Sequence, residues 1–213
     1  SAKCLYELFD AKNVLDFSSG WGDRLIGFMA CENTVRYVGI DPNEKLVSKY
    51  KDIINQYNGS GDKDITMIQA PAEDVTLTEK FDFIFTSPPY FNIEKYTHEP
   101  NQSFKRYRKV DQWLEGFLFK TIGKCWDALE DGGVMAINIG DVYSGHTINK
   151  LCDPMNDYIS KLEGANYMGA IGYRMQKRIQ SKSFKTGTFA EPIWIWGKGD
   201  VDSIETILQN KRI

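Results

Sequence analysis

The residues best suited to chemistry lie in two short stretches, each at the end of an apolar run. In Phe81-Asp82-Phe83-Ile84-Phe85-Thr86-Ser87-Pro88-Pro89-Tyr90, a run fit for a buried strand ends in two prolines. Proline has no amide hydrogen to offer a sheet and its φ is fixed, so the strand must stop and the backbone beyond it is rigid. Carbonyl oxygens there point in set directions, beside the Ser87 hydroxyl and just ahead of the Tyr90 ring. Such a corner suits an aromatic amine, whose lone pair is delocalised into its ring and attacks poorly. If the Ser87 hydroxyl and the Pro88 carbonyl accept hydrogen bonds from the two N–H groups, the pair is localised for in-line attack on an electrophile. Geometry and preorganised dipoles supply the acceleration, with Pro89 fixing the corner and Tyr90 stacking on the ring. The segment needs no metal and contains no dedicated general base. The plain alternative is that Ser-Pro-Pro-Tyr only ends a strand, because a tetrad is a short signal. Its position behind the second stretch favours the chemical reading.

That second stretch is Val14-Leu15-Asp16-Phe17-Ser18-Ser19-Gly20-Trp21-Gly22-Asp23-Arg24, a strand running into small residues and then a helix. Gly20 and Gly22 let the backbone approach a ligand closely, with Phe17 and Ser18 at the turn. Ligands of open α/β sheets bind at the carboxyl ends of the strands. The spacing is not the G-x-G-x-x-G that suits a dinucleotide pyrophosphate, and Asp16 repels phosphate but attracts a cationic group. Asp41-Pro42 closes the next strand, where a carboxylate can accept from both hydroxyls of a ribose. Glu73 and Asp74 follow the third strand, and either could accept from an adenine amine. Singly, these are a common turn, a helix cap and a solvated acidic pair. Their order after successive strands is the stronger signal.

The elements that must position these residues alternate between β-branched or apolar runs and helical-period segments, the pattern of an α/β fold with a mostly parallel sheet. Strands are expected at Val14–Phe17, Tyr37–Ile40, Ile65–Ile68, Phe81–Phe85, Val134–Ile139, Met168–Tyr173 and Ile193–Trp196. The last two have no helix between them and are expected to pair antiparallel as a hairpin. Helices are expected over Arg24–Ala30, from Leu46 to Tyr57, from Trp113 to Leu129 with a stop at Asp131-Gly132-Gly133, and from Leu151 to Leu162. A short helix is expected after Gly199, and the stretch from Phe91 to Val110 reads as long, polar and irregular. Trp113 and Trp126 are expected in the core, and Asp141 either lines the pocket or caps the next segment.

The 213 residues fit a single domain, residues 1–213, with Ser1-Ala2 and the early first strand raising the alternative of a fragment. With 42% hydrophobic and 26% charged residues the composition is that of a globular protein, and no run approaches membrane-spanning length. A signal-peptide pattern is absent, so a cytoplasmic location is expected. Four scattered cysteines and two histidines give little from which to build a zinc site, and no metal is expected; the cysteines read as reduced and buried.

The net charge of −3 excludes a uniformly basic nucleic-acid binder but not a local basic face. Two segments offer one: Lys105, Arg106, Arg108 and Lys109 beyond the tetrad, and Arg174, Lys177, Arg178, Lys182 and Lys185 in the late hairpin. Both should fall on the catalytic edge of the sheet, where phosphate contacts would position a strand in a salt-dependent way. Tyr96, Phe104 and Tyr107 supply rings for stacking nearby. The plain alternative is that such charge runs only solvate a loop. His98, in the same loop, reads as a surface residue.

Asp16-Phe17-Ser18-Ser19-Gly20-Trp21-Gly22 resembles the cofactor motif of class I methyltransferases, with Ser18 where that family more often has a third glycine. Thr86-Ser87-Pro88-Pro89-Tyr90 resembles the catalytic motif of the DNA amino-methyltransferases. Within that family the Ser-Pro-Pro form is commoner on the 4-amino group of cytosine, and the Asp-Pro-Pro and Asn-Pro-Pro forms on the 6-amino group of adenine. The resemblance spans most of the chain, because Gly132–Ile139 and Glu191–Lys198 also fall where the family places later strands. It implies a Rossmann-like, seven-stranded sheet with its last strand antiparallel, S-adenosylmethionine as cofactor, and the amine of a DNA base as target, most naturally for modification against a nuclease. RNA, a protein glutamine amide and a catalytically silent nucleic-acid-binding subunit are the alternatives. Pro71 stands where the family often has an acid, so Glu73 or Asp74 must substitute. A sizeable target-recognition domain finds no room, which leaves specificity to local loops, a separate subunit or absent sequence.

Overall fold

The computed structural model describes residues 2–58, 61–91, 99–144, 147–174 and 190–211. Seven strands, β1 (Asn13–Asp16), β2 (Arg36–Ile40), β3 (Asp64–Ile68), β4 (Phe81–Thr86), β5 (Leu129–Asn138), β6 (Ala165–Arg174) and β7 (Ala190–Lys198), form one sheet in the order β3-β2-β1-β4-β5-β7-β6. The first five run parallel, and β7 lies antiparallel between β5 and β6. This is the mostly parallel α/β sheet expected from the alternation of apolar runs, in the Rossmann-like, seven-stranded form with an antiparallel last strand that the family resemblance implies.

Helices α1 (Ala2–Leu8), α2 (Asp23–Met29), α3 (Val47–Tyr57), α4 (Ser103–Arg106), α5 (Val110–Trp113), α6 (Lys120–Ala128), α7 (Cys152–Ile159) and α8 (Ile204–Asn210) accompany it. A π-helical stretch, Leu114–Phe119, joins α5 to α6. Two apolar cores cover the sheet, one on each face. Burial on both sides explains why Val14 and Leu15 of β1, and Phe83, Ile84 and Phe85 of β4, are consecutive apolar residues rather than an alternating set. Between Phe81 and Phe83 the β4–β5 register shifts, and Phe81 packs into the opposite core from Phe83.

Several elements depart from expectation. Residues 2–8, given no element from the sequence, form α1, which buries Ala2, Leu5, Tyr6 and Leu8. Its Tyr6 ring meets Phe28, Phe83 and Phe85 edge-on. The helix before β5 ends at Ala128 rather than at the glycine pair, because the buried Leu129 turns extended and pairs with Phe81. The stretch from 91 to 110 is not wholly irregular, since α4 stands within it. The tail helix is α8, capped by the Ser203 hydroxyl accepting from the Thr206 N–H at 3.2 Å, with Ile204 seated over Gly169 of β6. Cys31, Cys125 and Cys152 are buried, whereas Cys4 is exposed.

β1 is the switch point of the winding, with β2 and β3 on one side and β4 onward on the other. Val14 pairs with Phe83 and Leu15 with Ile84, so the carboxyl ends of β1 and β4 stand side by side. The glycine turn and the proline corner are therefore neighbours by register alone. Gly22 ends that turn at φ 87, and a Cβ on it would come within 3.0 Å of the Ile53 side chain. A left-handed backbone disfavours an L side chain by ~1–2 kcal/mol before any crowding is counted. Gly22→Ala is expected to lower unfolding stability in urea by at least that amount; an unchanged midpoint would show that the turn does not require this backbone.

Candidate active site

The carboxyl edge of the sheet opens into a cleft walled by Phe17, Ser18, Ser19, Gly20, Trp21 and Arg24 after β1, by Asp41 and Pro42 after β2, by Ala72 and Glu73 after β3, and by Ser87 and Pro89 after β4. Residues read separately from the sequence are thus brought to one place. Gly20 at φ 53 and Gly22 at φ 87 give the turn its backbone shape. Gly20 donates its N–H to Asp41 Oδ2 at 2.9 Å, and its carbonyl accepts from the Tyr50 hydroxyl at 2.6 Å, so the turn is fastened to β2 and α3.

Asp16 sits behind the wall rather than on it. Its side chain is fully buried and takes four hydrogen bonds: Arg24 Nε at 2.7 Å and the Tyr37 hydroxyl at 2.9 Å on Oδ2, the Thr86 hydroxyl at 3.0 Å and the Ser18 N–H at 3.2 Å on Oδ1. Arg24 also donates to the Ser18 carbonyl and reaches the cleft itself. Burial works against the Arg24 charge, but the Asp16 carboxylate beside it outweighs that and raises the guanidinium further above its usual range. The sequence reading placed Asp16 on a cationic ligand. The structure commits it to Arg24 and leaves the arginine, which the sequence reading passed over, facing the cleft.

On the other side of β1, Asp41 accepts from the N–H groups of Asn43 and Gly20 and still borders the cleft. Burial pushes its carboxyl up to about 6, with those two backbone donors and Arg24 holding it back and Asp16 adding to the rise. Glu73, 1% exposed, lies on the wall, but its Oε1 is held by Arg106 at 2.6 Å. Asp74 pairs with the same Arg106 nitrogen at 2.8 Å and stands outside the wall. The hydrogen bond from Arg106 holds the Asp74 carboxyl down, while burial raises that of Glu73 despite Arg106. Arg106 Nη1 therefore bridges two carboxylates, so part of the guanidinium read from the sequence for phosphate is engaged within the chain.

At the proline corner, Ser87 and Pro89 face the cleft, Pro88 is buried and Tyr90 is half-buried against the core. The Phe91 N–H donates to the Pro89 carbonyl at 2.9 Å, closing a tight turn around Tyr90. Phe91 itself has φ 51, an uncommon backbone for a bulky residue, of a kind that costs on the order of 1–3 kcal/mol. Burying its ring against Trp113, at a centroid distance of 6.1 Å, offsets that strain. The Tyr90 hydroxyl donates to Glu191 Oε2 at 3.2 Å, which ties the corner to β7.

Lys105, Arg108 and Lys109 are exposed, and Phe104 and Tyr107 half-exposed. Lys177, Arg178, Lys182 and Lys185, with Tyr96 and His98, lie outside the described residues, as does the Arg174 side chain. The backbone of Arg174 pairs with Ala190, one residue from the glutamate that holds Tyr90. Asp141 caps α7, accepting from the N–H groups of Leu151 at 2.8 Å and Cys152 at 2.9 Å. Trp113 and Trp126 are in the core.

Sequence reasoning also missed Trp21, Asn101, Gln102 and Phe117, all of which line the cleft. Trp21 is 68% exposed at its rim, and a large aromatic residue between two glycines was the available signal. Among the described residues, no His/Cys/Asp/Glu group is arranged to hold a metal ion, and no helix is long and apolar enough to cross a membrane.

A family model for DNA methylases of the N6 and N4 type matches residues 81–209, from β4 to the tail helix. The chain belongs to this DNA methylase family. It is a methyltransferase, and S-adenosylmethionine is its methyl donor. Among solved structures it is similar to TrmN from Thermus thermophilus, at 15% identity and a TM-score of 0.58 over 92% of this chain and 48% of that one. An rRNA methylase from Streptococcus thermophilus is 15% identical at a TM-score of 0.55, with 92% and 95% covered. A S-adenosylmethionine-dependent methyltransferase from Clostridium acetobutylicum is 13% identical at a TM-score of 0.56, with 92% and 88% covered. At these identities the likeness is one of fold, and the chain spans about half the length of TrmN. A search of curated proteins by sequence finds no match.

The cleft residues fit the methyl donor. Left-handed glycines leave a side-chain-free backbone for an amino-acid tail, Arg24 suits its carboxylate, and Asp41 suits the ribose hydroxyls. A carboxyl raised by burial favours folding while neutral, a contribution present below its unfolded value near 4 and lost as pH rises through about 6. Hydroxyl donors of a ligand act in the opposite direction, favouring the ionised form. Affinity for S-adenosylhomocysteine, measured by calorimetry, is therefore expected to be flat above neutrality and to weaken as pH falls through about 6. Asp41→Asn should bind weakly with no such pH dependence, and a flat wild-type profile would remove Asp41 from the contact.

Proposed function

We propose that this enzyme methylates the exocyclic amine of a base in DNA, with the 4-amino group of cytosine favoured over the 6-amino group of adenine. One observation carries the proposal: Ser87, at the end of β4, opens onto the same cleft as the glycine turn, so an amine held at the corner faces a methyl donor held by the turn. The bound cofactor supplies an electrophilic methyl on a sulfonium. The chain supplies orientation. Ser87 Oγ accepts one N–H of the target amine and the Pro88 carbonyl accepts the other, while the Pro89 carbonyl is already spent on Phe91. The strand end from which both project is anchored through Thr86 on Asp16.

Tyr90, tied to Glu191 through its hydroxyl, is the ring assigned to stacking on the base. A duplex base must leave its stack to reach this corner, at a cost of a few kcal/mol that stacking and pocket contacts offset. Lys105, Arg108 and Lys109, exposed beyond the proline corner, would hold phosphates of the displaced strand. The proton leaves the nitrogen after methyl transfer, so a dedicated base is unnecessary. Ser87 in place of an acid or amide favours cytosine. Recognition of a particular sequence is assigned to the loops at this edge, to a separate subunit or to sequence outside this chain.

The test is methyl transfer from radiolabelled S-adenosylmethionine to duplex DNA, single-stranded DNA, RNA and protein in parallel, followed by digestion of labelled DNA to nucleosides. Label in N4-methylcytosine supports the proposal, and label in adenine corrects its choice of base. Label confined to RNA or protein overturns it, as does intact cofactor binding with no transfer to anything. Ser87→Ala should lose roughly 100-fold or more in turnover, by analogy with loss of one preorganised group in other active sites. Its affinity for S-adenosylhomocysteine should remain unchanged; undiminished turnover would take Ser87 out of the mechanism.

A further inference from the structure

Two side chains of the cleft are left with unmet hydrogen-bonding groups. Asn101 and Gln102 precede α4 and line the cleft. Asn101 Nδ2 donates to the Pro42 carbonyl at 2.8 Å, which fixes the amide, and among the described residues its buried Oδ1 accepts from nothing. Gln102 is 8% exposed, and among the described residues its buried Nε2 donates to nothing. Unmet buried donors and acceptors are costly and rare in native interiors. Here one acceptor and one donor, on adjacent residues, await a partner in the same cleft.

Their place in the fold indicates which partner. Asn101 is tied to Pro42 at the end of β2, and Arg106, five residues on, is tied to Glu73 after β3. β2 and β3 lie on the opposite side of β1 from β4, so this segment crosses the half of the cleft away from Ser87. The carboxylate that the sequence suggests for reading adenine, Glu73, is held by Arg106. We propose that Asn101 and Gln102 read the adenine edge of the methyl donor. Asn101 Oδ1 accepts from the 6-amino group and Gln102 Nε2 donates to a ring nitrogen. The proposal rests on the cleft being the cofactor site.

The pairing predicts discrimination. Hypoxanthine carries a carbonyl oxygen where adenine carries its amine, and that oxygen would face Asn101 Oδ1. The asparagine cannot turn to offer its nitrogen without giving up Pro42. Calorimetry with S-adenosylhomocysteine and S-inosylhomocysteine reads this directly. Wild-type protein should prefer the adenosyl ligand by about tenfold or more, as expected for an unpaired polar group in a site built to bond it. Gln102→Met, similar in shape but without the donor, should weaken the adenosyl ligand by about tenfold. Asn101→Leu should bring the ratio of the two affinities towards one, and thermal unfolding midpoints would show that both variants fold. Equal loss for both ligands would overturn the proposal by assigning the amides to the sugar or to the loop, and unchanged affinities would overturn it outright. Failure of the wild-type protein to bind either ligand would overturn the cofactor reading of the cleft, and this proposal with it.

Discussion

The buried contact between Asp16 and Arg24 holds the site together. Four donors from four parts of the chain converge on one carboxylate: the helix after the glycine turn, the turn itself, β2 and the last residue of β4. A carboxylate at 0% exposure is stable only when paired and fully hydrogen-bonded, and removing one partner of such a pair typically costs about 3–5 kcal/mol. The pair ties the glycine turn to the end of β4, and in the proposed reaction that joint would set how the amine meets the cofactor. Methyl transfer in line tolerates little misplacement, so a rigid joint behind both walls matters more to this chemistry than any one contact inside the cleft.

A second layer of pairing sits on the other side. Arg106 joins Glu73 and Asp74 while Asn101 reaches Pro42, so the segment after the proline corner folds back across the ends of β2 and β3. Trp113 supports it from below, donating its indole N–H to Ser103 at 3.0 Å, and the Tyr107 ring lies where a side chain on Gly116 would otherwise stand. The π-helical stretch that contains Gly116 also brings Phe117 into the cleft wall. Single π-type turns inside helices are often found at functional sites, and this one shapes the cleft from the side opposite the glycine turn.

Much of this was legible in the sequence where a signal is local and repeated. The parallel strands announced themselves as apolar runs, and the glycine and proline stretches marked where two of them had to stop. The antiparallel pairing of β6 and β7 followed from two apolar runs with no helical period in the sequence between them. Direction was less legible. Asp16 was recognisable as an acid at a strand end, but whether it faced a ligand or a buried arginine depends on Tyr37 and Thr86, which lie 21 and 70 residues away. Arg106 read as one member of a basic run because its partners Glu73 and Asp74 lie more than thirty residues earlier and only the folded chain brings them together. Helices α1 and α4 are seven and four residues long, too short for a helical period to stand out. Asn101 and Gln102 sat in a polar stretch, where burial leaves no mark on composition.

The central claim, that one cleft built around the Asp16–Arg24 joint serves both cofactor and target amine, is tested most directly by a crystal structure of the protein with S-adenosylhomocysteine. The account predicts the amino-acid tail along residues 18–22, the ribose at Asp41 and the sulfur opening towards Ser87, with Asp16 still bonded to Arg24. A ligand lodged away from this cleft, or an Asp16 that has left Arg24 to bind the ligand itself, would contradict it.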